Sequence, residues 1–195
     1  MKYMMFATRF PATHPRAGQP TRFPEKMWNN RRISGPQMTK EDILFLLLTE
    51  AKLPGVFDPG MVNEPDISNC SKGHTIRGGN RWKAGDMFSP RVWVGKPYYS
   101  KQVEFMPPIK VVATYQIKIQ YTDSRKSLVI WLDNNLIQMI SLSSIDNMLQ
   151  LPVAHNDGLL PADFKGWFPK AFEGQLICWD AQMAEFYNAL IKTKK

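Results

Sequence analysis

Apolar and polar positions change rhythm several times along this chain. Residues 3–10 (YMMFATRF) begin as a strand. Between 11 and 37, Pro11, Pro15, Pro20, Pro24 and Pro36 exclude any long regular element. A short helix fits around 22–30, with Phe23, Met27 and Trp28 turned inward. Thr39 then N-caps the run EDILFLLLTEA, with Glu41 and Asp42 suited to the positive end of the helix. The apolar run is broad, so the pattern predicts a well-buried helix that ends before Pro54–Gly55. Residues 54–71 read as loop. A turn at Gly85–Asp86 leads into a strand over 87–93.

The second half is richer in strands. Residues 109–121 and 127–132 carry β-branched and aromatic side chains, the first alternating near its end. Asp133–Asn134–Asn135 is a turn, and LIQMIS follows as another strand. Ser143 or Ser144 caps a short helix over 144–150, and a further helix opens at Leu160–Pro161 and covers ADFKGWF. QLICW, at 175–179, is a strand before a C-terminal helix over 180–192. There is no βαβ rhythm and no internal repeat. The expected class is α+β with a small mixed or barrel-like sheet. No composition shift marks a boundary between two self-sufficient cores, so residues 1–195 read as a single domain.

Length and composition sharpen this. A chain of 195 residues with 44% hydrophobic and 22% charged residues can bury a real core. The net charge of +8 is uneven. Residues 1–40 hold eight basic groups and one acidic, 41–70 one and six, 71–110 eight and two, and 111–195 eight of each. Two basic blocks thus flank an acidic one. Such a balance favours an anionic partner, nucleic acid first and phosphorylated small molecules next, although a solvated surface would look the same. Cys70 and Cys178 cannot form a disulfide scaffold and fit a reduced cytoplasmic protein. No run reaches 18 apolar residues, and the start turns polar and Pro-rich too soon for a signal peptide. No membrane partner is therefore expected.

Several chemistries lack their motifs. Three histidines (His14, His74, His155), with no Cys-x-x-Cys and no His-Glu-x-x-His, predict no metal site. Dinucleotide, P-loop and Gly-x-Ser-x-Gly signatures are absent too, so no cofactor is expected. The informative segment is Lys72-Gly73-His74-Thr75-Ile76-Arg77-Gly78-Gly79-Asn80-Arg81-Trp82-Lys83-Ala84-Gly85-Asp86. In a turn, Lys72 and Thr75 could share a pocket. A lysine whose pKa is lowered by nearby cations can serve as base, and a threonine hydroxyl as nucleophile. Arg77 could grip a carbonyl or phosphate through its fork of donors. The same residues also make an ordinary basic loop whose Thr caps backbone groups.

Lys72-Gly73-His74-Thr75-Ile76-Arg77 followed by Arg81-Trp82-Lys83-Ala84-Gly85-Asp86 resembles the signature of the ASCH domain. Phe10-Pro11 and His14-Pro15-Arg16 resemble the first strand and loop of extended ASCH-like proteins. The resemblance implies a PUA-like fold, a small β-barrel with peripheral helices, associated with RNA. The chain would be one such domain with an N-terminal extension and a helical insertion at about 11–69. One branch of that superfamily comprises small bacterial acetylcytidine amidohydrolases, which use a Lys, a Thr and a Glu. The resemblance places these roles on Lys72, Thr75 and Asp157, with the family arginine at Arg77. Asp157 is an Asp where those enzymes carry Glu, one methylene shorter, and a misplacement near 1 Å can cost about a hundredfold in rate. Read without the resemblance, His155-Asn156-Asp157-Gly158 is a polar turn whose carboxylate either faces the basic residues or holds the turn.

Two functional readings follow. The first is binding of RNA, single-stranded nucleic acid or a nucleotide through a basic PUA-like pocket. Arg77, Asn80, Arg81, Trp82, Lys83 and Tyr98 would be its ligand-binding residues, and the wider surface would add Arg91, Lys96, Lys101, Trp93 and Tyr99. The second is amidohydrolysis of a modified nucleoside. There Thr75 would attack, Lys72 would take its proton, Asp157 would orient the lysine or help protonate the leaving amine, and backbone N–H groups near Gly78–Gly79 would hold the oxyanion.

Overall fold

The computed structural model describes residues 1–34, 38–63, 71–122, 127–141 and 151–193. The expected helix over 144–150, and Cys70, lie outside the described residues. The fold is α+β with two sheets. The chain forms two compact units where the sequence pattern offered no boundary. The first comprises Met1–Lys72 and Asp86–Lys110, the second Gly73–Gly85 and Val111–Lys195. The first carries fourteen basic and nine acidic residues, the second eleven and eight. The positive balance is therefore shared between them.

The first unit is built on strands β1 (Lys2–Met5), β3 (Met87–Trp93), β4 (Gln102–Glu104) and β5 (Ile109–Lys110). β1 runs parallel to β3, while β4 and β5 pair with β3 in antiparallel register. Phe6, Phe88, Val92 and Phe105 fill its core. Helix α1 (Phe23–Ser34) buries Phe23, Met27 and Trp28, as the spacing predicts. It also buries Glu25 and Asn29. The Glu25 Oε1 accepts hydrogen bonds from Arg22 and from the Asp58 amide. Burial nevertheless pushes its carboxyl above the usual range.

Helix α2 (Lys40–Lys52) starts as read. Thr39 accepts from the Asp42 amide, and Asp42 accepts from the Thr39 amide, a complete capping box. The same carboxylate takes a two-pronged grip from Arg31, with Nη2 at 2.8 and 2.9 Å from its oxygens. Burial alone would raise the Asp42 pKa, but the Arg31 and Thr39 hydrogen bonds outweigh it and hold the carboxyl low. The helix is not well buried, however. Asp42 and Thr49 are its buried residues, while Ile43, Leu44, Leu47 and Leu48 are exposed. An apolar run reports what a helix can bury; its neighbours decide what it does bury.

Asp42→Ala should cost about 2–3 kcal/mol, combining a lost cap with lost charge-assisted bonds. Urea unfolding at neutral pH measures this. The folded pKa is depressed, so this stability is present above the unfolded value of 3.8 and is lost as pH falls through the lower folded value. Wild type and variant should converge there.

The second unit is a five-stranded antiparallel sheet in the order β2-β9-β6-β7-β8. Its strands are β2 (His74–Arg77), β6 (Ala113–Tyr121), β7 (Ser127–Leu132), β8 (Asn135–Ser141) and β9 (Phe172–Cys178). In β6, Tyr115, Ile117 and Ile119 point inward and Gln116 outward, the period-two pattern of a half-buried strand. β9 lies between β2 and β6 and is buried from Gly174 to Cys178. Asp133 and Asn134 join β7 to β8 with φ of +46° and +63°, the pair of left-handed residues a two-residue hairpin needs. The described strands form an open sheet with β2 and β8 at its edges rather than a closed barrel. Helices α3 (Pro152–Asn156), α4 (Pro161–Trp167) and α5 (Ala181–Lys192) complete the unit, and Asp180 caps α5 through the Met183 amide. No helix among the described residues is long and apolar enough to cross a membrane.

Candidate functional site

The motif segment divides between the units. Lys72 is the last residue of the first stretch of the first unit. It is 1% exposed, with Nζ 4.1 Å from the Phe23 ring centroid and 5.8 Å from that of Phe6. Two aromatic faces on an ammonium group give it cation–π partners in a covered setting. Tyr98, in the β3–β4 loop of the same unit, is 86% exposed. The structure thus assigns the basic and aromatic residues of the expected wider surface to two units. Arg91, Trp93, Lys96, Tyr98, Tyr99 and Lys101 belong to the first; Arg77, Arg81 and Lys83 belong to the second.

In the second unit, Thr75 stands on β2 rather than in a turn. Its register partner is Ile177 of β9. Alternation along the strand puts Thr75 and Arg77 on one face and His74 and Ile76 on the other. Thr75 is buried. Arg77 is partly exposed, with its Nε covered. Desolvation lowers its pKa, Asp157 opposes that shift, and Arg81 adds to it. Asp157 is therefore within electrostatic reach of Arg77, the pairing that the polar-turn reading allowed.

Asp157 ends α3 and lies in the turn that leads to α4, and its amide donates to the Val153 and Ala154 carbonyls. The short helix was readable after all, because Pro152 sits in its first turn, where its missing N–H costs nothing.

The loop after β2 is fastened by a residue that sequence inspection passes over. Gln175 of β9 accepts from the Trp82 amide at 3.1 Å and donates to the Trp82 carbonyl at 3.0 Å. This clamp leaves Asn80, Arg81 and Lys83 exposed and sinks Trp82 into the core at 2% exposure. Trp82 is therefore not available as a stacking face, contrary to its expected role. Arg81 lies across the indole, 5.4 Å from the ring centroid.

Behind β2, a buried hydrogen-bond chain runs inward. The Asn156 amide donates to the Tyr187 hydroxyl at 3.2 Å, and that hydroxyl lies 3.1 Å from His74 Nδ1. With Tyr187 accepting from Asn156, its own proton bonds Nδ1 when the imidazole carries its proton on Nε2. Burial raises the Tyr187 hydroxyl well above its ordinary value, so it stays protonated as this chain requires. Burial also pushes the Cys178 thiol up to about 12, which leaves it unreactive.

At the outer end of this chain lies a cavity of about 360 Å³, lined by Pro152, His155 and Asn156 of α3 and Gln182, Met183 and Phe186 of α5. Two carboxamides, an imidazole and an aromatic ring face one space. Gln182, Met183 and Phe186 were not singled out from sequence. Their only signal is the i, i+1, i+4 spacing that puts them on one helix face. Among the described residues no group of three His, Cys, Asp or Glu could hold a metal ion.

No family model, curated protein or solved structure matches this chain.

Proposed function

We propose that this chain binds RNA or a nucleotide through its second unit. The observation that carries the reading is the cavity between α3 and α5. Asn156 and Gln182 offer paired donors and acceptors of the kind that read base edges, and Phe186 offers a ring to stack on. Asp157, next to Asn156, ties this cavity electrostatically to Arg77. The exposed Arg81 and Lys83 supply positive charge for phosphate. The PUA-like, RNA-associated character implied by the ASCH-like motif agrees with this assignment.

The test is titration of the full chain with the four nucleoside monophosphates and with a short single-stranded RNA at two salt concentrations. Binding should weaken as salt rises. Phe186→Ala should weaken it about five- to a hundredfold, the range for one lost base–aromatic stack. Failure of every nucleotide and of the RNA to bind folded protein removes the reading.

The hydrolytic alternative is favoured by one observation. Thr75 and Asp157, both of the second unit, are each 4% exposed, whereas Asn80, Arg81 and Lys83 are exposed. Burying polar and charged side chains is costly, and such groups concentrate at sites of chemistry. In that reading the Thr75 hydroxyl attacks the acyl carbonyl of an N-acetylated cytidine, the N–acyl bond breaks as the cytidine amine leaves with the hydroxyl's proton, and water then hydrolyses the Thr75 ester to release acetate. Adding N-acetylcytidine to the panel tests it. Acetate release that Thr75→Ala abolishes in a folded protein supports hydrolysis, and no release leaves binding alone.

A further inference from the structure

The first unit carries a cavity of about 660 Å³ that nothing above uses. It is lined by Phe45 and Lys52 of α2, by Val94, Gly95, Ser100 and Lys101 of the β3–β4 loop, and by Gln102–Glu104, all of β4. β4 ends its sheet, and among the described residues no strand pairs with its outer edge. The register shows which backbone groups point there. Val94 donates to the Lys101 carbonyl and Phe105 to the Pro90 carbonyl. Val92 lies opposite Val103 between them. In an antiparallel pair, bonded and non-bonded positions alternate. Lys101, Val103 and Phe105 therefore face β3, and the N–H and C=O of Gln102 and Glu104 face outward.

Beyond the strand, α2 closes the other side. The Thr49 hydroxyl donates to the Phe105 carbonyl at 3.2 Å, which anchors the helix at the end of the edge. Phe45 stands one turn before that anchor and Lys52 nearly one turn after it. An unpaired edge strand, a helix opposite it and a space between them form the groove that an extended peptide enters as an added strand. Three edge residues offer about 10 Å of pairing, enough for a segment of three or four residues. Lys52, which lies over the Phe45 ring at 5.7 Å, and Lys101 outnumber Glu104 among the charged lining residues. The apolar wall of Phe45, Val94 and Val103 suits a β-branched or aromatic side chain.

We infer that this groove binds an extended peptide segment bearing an acidic residue, which pairs with the outer edge of β4 and sets its carboxylate against Lys52 and Lys101. The reading is independent of nucleotide binding by the second unit.

The test starts from a displayed library of random heptapeptides selected on the full chain, followed by a fluorescein-labelled synthetic copy of the most enriched sequence. Enriched peptides should carry Asp or Glu beside a β-branched or aromatic residue. Binding should slow hydrogen exchange at the Gln102 and Glu104 amides. Gln102→Pro and Glu104→Pro each remove an N–H that the internal ladder does not use, so both should fold and weaken the peptide at least tenfold. Joint Lys52→Glu and Lys101→Glu substitution should switch the selection toward basic peptides. The inference is overturned by a library that yields no binder, or by a binder indifferent to both proline variants. Protection of the same amides by an eight-nucleotide oligouridine and by no peptide overturns it as well.

Discussion

Gly174→Ala is expected to detach the end of β2 from β9. A Cβ at this position would collide with the Arg77 carbonyl oxygen and lie 3.0 Å from its carbon, with the Phe172 ring also at 3.0 Å. The first two neighbours are backbone, so no rotamer change relieves the contact. Either β2 retreats and gives up its pairing near Arg77, or β9 deforms in the middle of the sheet. Overpacking a core against mobile side chains costs about 1–3 kcal/mol, and a backbone collision belongs above that range. A loss of about 3 kcal/mol or more is expected from urea unfolding. Nucleotide binding should fail as well, because Arg77 leaves the reach of Asp157 and the Gln175 clamp on Trp82 sits one residue away. Gly78→Ala is the control. A Cβ there meets nothing within 4 Å, and its φ is not in the left-handed range, so stability should hold or rise slightly. A Gly174→Ala protein within about 1 kcal/mol of wild type would show that β2 is not held as tightly as the contact implies.

The features legible in the sequence are those whose cause is local. Thr39 and Asp42 cap a helix because both partners lie within four residues. Asp133 and Asn134 make a hairpin because two adjacent residues accept left-handed φ. The strands at 87–93 and 127–132 follow from β-branched and aromatic runs between turns, and the one read at 175–179 starts earlier, at Phe172. What could not be read depends on distant partners. Trp82 is core, not platform, because of Gln175, 93 residues away. The apolar residues of α2 stay exposed because its burial is confined to Asp42 and Thr49. The two units escape notice because the chain passes between them at Lys72–Gly73, Gly85–Asp86 and Lys110–Val111, inside β-rich sequence with no linker composition.

The candidate site shows the same division. Of the residues singled out, Thr75, Arg77 and Asp157 fall in one unit with Arg77 and Asp157 electrostatically coupled, while Lys72 falls in the other. Gln182, Met183, Phe186 and Tyr187 join it only through the packing of α5 against α3, which no spacing in the motif encodes. His74 faces opposite to Thr75 on β2, and its Tyr187 partner gives it a structural task.

Trp28→Ala should unfold the first unit or bring it close to unfolding. The indole is fully buried in α1, and its Nε1 donates to the Phe105 carbonyl at 2.9 Å. That carbonyl needs an outside donor for a simple reason. Its opposite residue on β3 is Pro90, which has no N–H to give. Trp28 and Thr49 supply what the ladder cannot, and in doing so they fix α1 and α2 to the end of β4. Truncation to Ala leaves a large cavity, at about 3–5 kcal/mol, and weakens the pairing of a buried carbonyl, at about 1 kcal/mol more. A loss of about 4–6 kcal/mol is comparable with the whole stability of many domains. Trp28→Phe keeps most of the apolar volume and removes the donor, so about 1–3 kcal/mol is expected. Urea unfolding gives the totals, and hydrogen exchange at α2 and β4 reports whether the loss is local to this corner. A Trp28→Ala protein that keeps slow exchange there and loses under 2 kcal/mol would mean that the strand end is held by other contacts, and the groove beside it with them.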